Sequence, residues 1–152
     1  MKLSTRGRYA LLALVDIACH QKDGLVSMNE VSQRQDVSLP YLEQLFSKLR
    51  KNGLLTSVSG PGGGYRLARP TGDIRIEEIL TSVDETIDAL STGAGVKGGA
   101  SGTDEQALSN RLWEGLSAHV YLFLHQTTLA DVIGDTLIPC PAIPALLAFE
   151  DA

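Results

Sequence analysis

The chain has 152 residues, 43% of them hydrophobic and 20% charged, with two cysteines and a formal net charge of −5. At that length a folded chain buries roughly two-thirds of its unfolded surface, so a core can hold it without disulfides. Cys19 and Cys140 make no disulfide framework, no apolar run reaches the roughly eighteen residues of a membrane span, and the N-terminal stretch carries Asp16 without a small-residue cleavage site, so a cytoplasmic protein with no membrane partner is expected.

Residues 6–20 place Tyr9, Leu12, Ala13, Val15, Asp16, Ile17 and Cys19 at helical spacing, with Leu11 and Leu14 widening the apolar face and Ser4 or Thr5 as cap. Ser27 and Glu30 form a Ser-x-x-Glu capping box ahead of a second, two-turn helix that Asp36 and Val37 end. Ser38 caps a third helix, in which Pro40 is tolerated because first-turn N–H groups have no intrahelical acceptor and which Gly53 stops. Leu39, Leu42, Leu45, Phe46 and Leu49 are its expected buried stripe. The period then becomes alternating: residues 54–59 and 65–69 flank GPGGG, which predicts a hairpin. Three helices followed by a hairpin read as a winged helix-turn-helix, and the helical segment 74–85, with Asp73 as a possible cap, closes it.

Residues 86–104 are small and polar with no sustained period, a composition that predicts a loop, and loops of that length call for a functional explanation. Asp104 is then expected to cap a long helix whose Leu108, Leu112, Leu116, Val120, Phe123 and Leu124 make an apolar stripe about 33 Å long. One small domain cannot easily cover such a stripe, so a homodimer interface through Leu108, Leu112, Leu116, Val120 and Phe123, flanked by Trp113, is expected. A short helix capped by Thr127 or Thr128 follows, and the apolar tail 136–152 is broken by Pro139, Pro141 and Pro144.

The net charge hides an asymmetry. Residues 1–70 carry ten Lys/Arg against five Asp/Glu, and residues 71–152 carry three against thirteen. A basic module attracts phosphate polyanions and an acidic one is repelled by them, so the split predicts an orientation on nucleic acid. On the third helix the outward positions Pro40, Tyr41, Glu43, Gln44, Ser47, Lys48, Arg50 and Lys51, with Ser38 at its start, mix side chains able to read base edges with phosphate-binding cations. Gln44 can pair with adenine and Glu43 can accept from cytosine N4, although a merely solvated helix face has the same composition. Lys2 and Arg8 add phosphate contacts near the first helix, where Ser4 is a further DNA-binding candidate, and Ser59, Gly60, Gly63 and Tyr65 are the candidates on the wing, which reaches the adjacent minor groove or backbone. The glycine-rich loop is no nucleotide-binding loop, because a strand follows it rather than a helix N-terminus or a Gly-Lys-Ser/Thr ending. His20, His119 and His125 have no nucleophile or carboxylate at catalytic spacing, so no enzyme is expected.

Over about residues 1–135, MKLSTRGRYALLALVDIA, SLPYLEQLFSKLRKNGLLTSVSGPGGGYRLAR and the SVDE and LW segments resemble the IscR-type iron–sulfur cluster regulators, a winged-helix family shared with NsrR and RirA. The resemblance implies a bacterial cytosolic homodimer that regulates transcription by binding palindromic operator DNA, most members using an iron–sulfur cluster to control promoter choice. It also implies three cysteine ligands in the loop before the long helix, where this chain has Ala94, Ala100 and Ala107, and a ligating histidine where it has Asn110. Alanine has no donor atom, so no metal is expected there as the chain stands, and a cluster, of the 2Fe–2S kind, is expected only with cysteine at 94, 100 and 107. Ser59 stands where the family often has arginine, and Pro40 where it has serine.

The expected architecture is therefore mainly α with a small β-hairpin wing. It comprises a winged helix-turn-helix over 1–85, a cluster-type loop over 86–104, a dimerisation helix with a short following helix over 105–135, and a Pro-rich tail over 136–152. The expected function is that of a homodimeric transcription regulator in an apo or apo-mimicking form, acting on double-stranded operator DNA. A winged-helix module used only for protein interaction is the alternative.

Overall fold

The computed structural model describes residues 4–85, 103–134, 136 and 137. Most of the loop over 86–104, nearly all of the tail, Lys2, Ala94, Ala100 and Cys140 lie outside the described residues.

Helix α1 spans Thr5–His20 and buries Ala10, Ala13, Leu14 and Ile17. The buried face is thus centred on Ala10 and Leu14, while Tyr9, Leu12 and Val15 are half-buried and Cys19 is exposed. A 3-10 turn, Gln21–Asp23, leads to Val26, whose N–H and C=O exchange bonds of 2.9 and 2.7 Å with Tyr65. Helix α2, Met28–Gln35, begins with the expected capping box: the Glu30 N–H donates to Ser27 Oγ and the Ser27 N–H to the Glu30 carboxylate. Those hydrogen bonds hold the Glu30 carboxyl below its usual range. Asp36, in the left-handed region at φ 53°, ends the helix and turns the chain toward α3, Leu39–Lys51. Leu42, Leu45, Phe46 and Leu49 are buried as their spacing predicts, but Leu39, in the exposed first turn, is 38% accessible.

Strands β1, Leu55–Val58, and β2, Gly64–Leu67, pair antiparallel with Leu55 opposite Leu67 and Val58 opposite Gly64. Leu55 and Leu67 face the core, and Thr56 and Arg66 the solvent. The turn between the strands demands its glycines for two reasons. Gly62 sits at φ +72°, and a Cβ on Gly63 would lie 2.2 Å from the Val58 carbonyl oxygen. Asp73 belongs to a 3-10 turn, Thr71–Asp73, and does not cap the next helix. Helix α4, Ile76–Ser82, starts one residue after Arg75, whose N–H donates to the Glu78 carboxylate at 3.0 Å.

Helix α5 spans Asp104–Gln126, and its cap is Thr103 rather than Asp104. The Gln106 N–H donates to Thr103 Oγ1, which leaves Asp104 in the first turn, where a carboxylate complements the helix dipole. No residue of α5 is buried, and Leu108 and Leu112 are more than 60% exposed. Helix α6, Leu129–Ile133, is capped by Thr128 and Asp131 and returns to the N-terminal core. The Ile76 N–H donates to the Thr127 carbonyl and the Leu129 N–H to the Ile74 carbonyl, at 3.0 and 2.8 Å. Leu129 is fully buried there, a burial worth about 2 kcal/mol, so the chain beyond α5 helps to build the core that carries α1 to α4.

Candidate nucleic-acid interface

Helix α3 packs against α2 on one side and against β1 of the wing on the other, and its outward face is the candidate surface. Because Leu42, Leu45, Phe46 and Leu49 point inward, the 3.6-residue period turns Pro40, Glu43, Gln44 and Lys51 outward, and all four are exposed. Ser38, ahead of the helix, is exposed as well, although its side chain makes no capping bond, and Ser47 is half-buried.

The edges of that face are engaged by the protein itself. On one edge Tyr41 meets Tyr9 edge-to-face at 5.7 Å, tying α3 to α1. Lys48, on the same edge, donates to the Asp84 carboxylate and holds that carboxyl below its ordinary range by hydrogen bond and charge. On the opposite edge Arg50 Nη1 donates to Ser57 Oγ at 3.2 Å, which fixes the first strand of the wing against α3. Tyr65 is half-buried and meets Phe46 edge-to-face, with ring centroids 4.8 Å apart, so its ring seats the wing on α3. Ser59 and Gly60 lie exposed at the wing turn, Gly60 at φ +95°, and Gly63 is half-buried beneath them.

Arg8 is exposed on the first turns of α1. Ser4, one turn earlier, is engaged by Glu85, which accepts from the Ser4 N–H at 3.0 Å and from its hydroxyl. Sequence reasoning did not find Asp84 and Glu85, because their partners stand 36 and 81 residues away. It also missed the open groove between the turn after α1 and the outer face of the wing, where Lys22 and Arg66 have no charged partner among the described residues. Arg69, in the same groove, pairs with Glu78 at 3.2 Å.

The positions that the family resemblance links to an iron–sulfur cluster do not fit one. Ala107, on α5, offers an exposed methyl group and Asn110 a half-buried amide, and neither supplies a thiolate. Among the described residues no three of His, Cys, Asp and Glu gather closely enough to hold a metal ion. His125 stacks on Tyr121 and faces Glu77 at 3.4 Å, and His20 bonds to the Asp16 carbonyl oxygen. No helix among the described residues is long and apolar enough to cross a membrane.

Comparison with known proteins agrees with this fold. The family model Rrf2, described as an iron-dependent transcriptional regulator, matches residues 3–135. The HTH-type transcriptional regulator IscR of Cereibacter sphaeroides is 63% identical, covering 99% of each chain. The regulator of the same name from Yersinia enterocolitica is 46% identical over 89% of this chain and 80% of its own. Among solved structures, CymR, the global cysteine regulator of B. subtilis, superposes with a TM-score of 0.74 at 30% identity, covering 89% of this chain and 98% of that one. IscR of T. potens superposes with a TM-score of 0.70 at 35% identity, covering 90% and 88%. The relatives are regulators and not enzymes, and they favour DNA binding over a module used only for protein contacts. With its hairpin wing, its exposed third helix and a family match over most of its length, the chain belongs to the Rrf2 family of transcriptional regulators.

Proposed function

We propose that the chain acts as a homodimer on double-stranded operator DNA, with α3 in the major groove and the wing alongside. Glu43 and Gln44 read base edges, while Lys51 and Arg8, joined by Lys48, Arg50 and Lys2, bind phosphates. The observation that carries this reading is the outward face of α3, exposed at Pro40, Glu43, Gln44 and Lys51 and flanked by a wing seated through Ser57 and Tyr65.

Dimerisation is assigned to α5. Leu108, Leu112, Leu116 and Phe123 are 63%, 65%, 41% and 52% exposed in one protomer, with Val120 half-buried beside them. Such a stripe is a cost in water unless a second copy covers it. The winged-helix unit through residue 85 reads the DNA, α5 pairs the protomers, and the regulator acts in the cytoplasm, where its DNA is.

The residues at 94, 100, 107 and 110 supply no thiolate, so no step of this function passes through a cluster held there. Selection from a random duplex pool by the full chain tests the reading. A two-fold symmetric consensus, with half-sites about one helical turn apart or a multiple of it, is expected, and an asymmetric or absent consensus contradicts it.

A further inference from the structure

Asp84 and Glu85 lie outside the proposed reading face, yet one is fastened to Lys48 on α3 and the other to Ser4 ahead of α1. Helix α4 ends at Ser82, and the chain turns through Asp84 at φ 60°, with the Asp84 N–H donating to the Thr81 carbonyl and the Glu85 N–H to the Leu80 carbonyl at 3.1 and 3.0 Å. The turn sends two consecutive carboxylates to different partners. Glu85 closes the N-terminus of α1 by accepting from the Ser4 N–H and hydroxyl, a service that the Ser4 side chain does not perform for its own helix. Burial alone would raise the Glu85 carboxyl, but the hydrogen bonds from Ser4 and the Gly7 N–H, with Arg6 nearby, hold it below its ordinary range. Asp84, thus anchored on both sides, accepts from Lys48 on the edge of α3.

We propose that Asp84 sets the affinity of the DNA interface: it is a carboxylate held by the protein on Lys48, which a DNA phosphate must displace. The inference rests on the assignment of Lys48 as a phosphate contact. Both side chains are open to water, Lys48 at 38% and Asp84 at 68%, so the pair exchanges readily and tunes binding rather than blocking it. Arg6, the other cation near both carboxylates, belongs to α1 and feels the same charge. An intramolecular carboxylate competes with every phosphate alike, so the effect is on affinity for all sequences and leaves base preference untouched.

The test uses the full chain and a labelled random-sequence duplex of about thirty base pairs, at one fixed salt concentration. Asp84→Asn removes the charge while an amide still tolerates the left-handed turn, and Asp84→Gly is a second variant that the turn accepts. Each should tighten binding about three-fold per protomer, about ten-fold in a dimer, with a melting temperature lowered by no more than a few degrees. In a Lys48→Ala background the same substitutions should do nothing. Lys48→Ala that weakens binding while Asp84→Asn changes nothing overturns the inference and leaves the phosphate contact standing. Equal tightening with and without Lys48 also overturns it, because the charge then acts on the DNA as a whole. Lys48→Ala without effect on binding overturns the phosphate contact and the inference with it.

Discussion

Arg34 on α2 grips Asp16 on α1 with both ends of its fork: Nε lies 3.0 Å from one carboxylate oxygen and Nη2 2.8 Å from the other, while Gln35 Nε2 adds a third bond at 2.7 Å. The Asp16 side chain is fully buried, so the bond that joins the first two helices is also the one place where a charge enters the described core. A bidentate guanidinium fixes direction as well as distance, and it sets the angle at which α2 presents α3.

Removing Arg34 takes away the guanidinium that pairs that buried carboxylate and leaves it chiefly the bond from Gln35. Arg34→Ala should therefore cost about 3 kcal/mol, at the low end for a broken buried pair because Arg34 is itself 31% exposed. Burial alone would raise the Asp16 carboxyl, but bonds from Arg34 and Gln35 and the charges of Arg34 and His20 hold it below its ordinary value. A depressed folded-state pKa contributes stability above the unfolded value, near pH 4, and loses it as pH falls through the folded one. Thermal melts should show acid destabilisation below about pH 4 that is reduced in Asp16→Asn.

Gly63→Ala should disrupt the wing. Its Cβ would lie 2.2 Å from the Val58 carbonyl oxygen and 2.8 Å from that of Gly60, and Gly63 cannot retreat from them without breaking its N–H bond to the Gly60 carbonyl. A loss of about 1–3 kcal/mol in stability is expected, with weaker DNA binding, and calorimetry beside a binding titration checks both.

Base discrimination should divide between Glu43 and Gln44. Gln44→Ala should lose about 1–3 kcal/mol at one base pair. Glu43→Ala should relax preference and strengthen binding to poor sites, because a carboxylate in the groove repels phosphate unless a base donor compensates it. Sequence selection with each variant reads the outcome, and an unchanged consensus for Glu43→Ala contradicts the assignment.

Leu116→Asp should open the dimer. An aspartate in an apolar seam costs several kcal/mol unless the two copies separate, so sedimentation should find a monomer. An intact dimer would move the interface off α5.

Much of this was legible in the sequence, and the exceptions share a cause. Helix α3 announced itself through Leu42, Leu45, Phe46 and Leu49 at three- and four-residue steps, bracketed by Pro40 and Gly53, and the wing through GPGGG between alternating runs. These are local signals. The return of Leu129 to the core was not legible, because a five-residue helix with one buried leucine has no period to distinguish it from a tail. The cap of α5 was misplaced by one residue, since Thr103 and Asp104 are both good caps and only geometry chooses between them. In the candidate site the outward face of α3 was readable, but the hold of Asp84 on Lys48 and of Glu85 on Ser4 depends on how the end of α4 meets α1 and α3, which no spacing records.

A salt titration of binding to a palindromic duplex and to a random one tests the central claim most directly. Each neutralised phosphate releases about 0.9 counterion, so log K should fall linearly with log salt on both duplexes, and Lys51→Ala should lower the slope by about one unit for each phosphate left without its cation. The palindrome should bind at least about a thousand-fold more tightly at physiological salt. Equal affinity for the two duplexes, with a slope near zero, would contradict a regulator that reads operator DNA through α3.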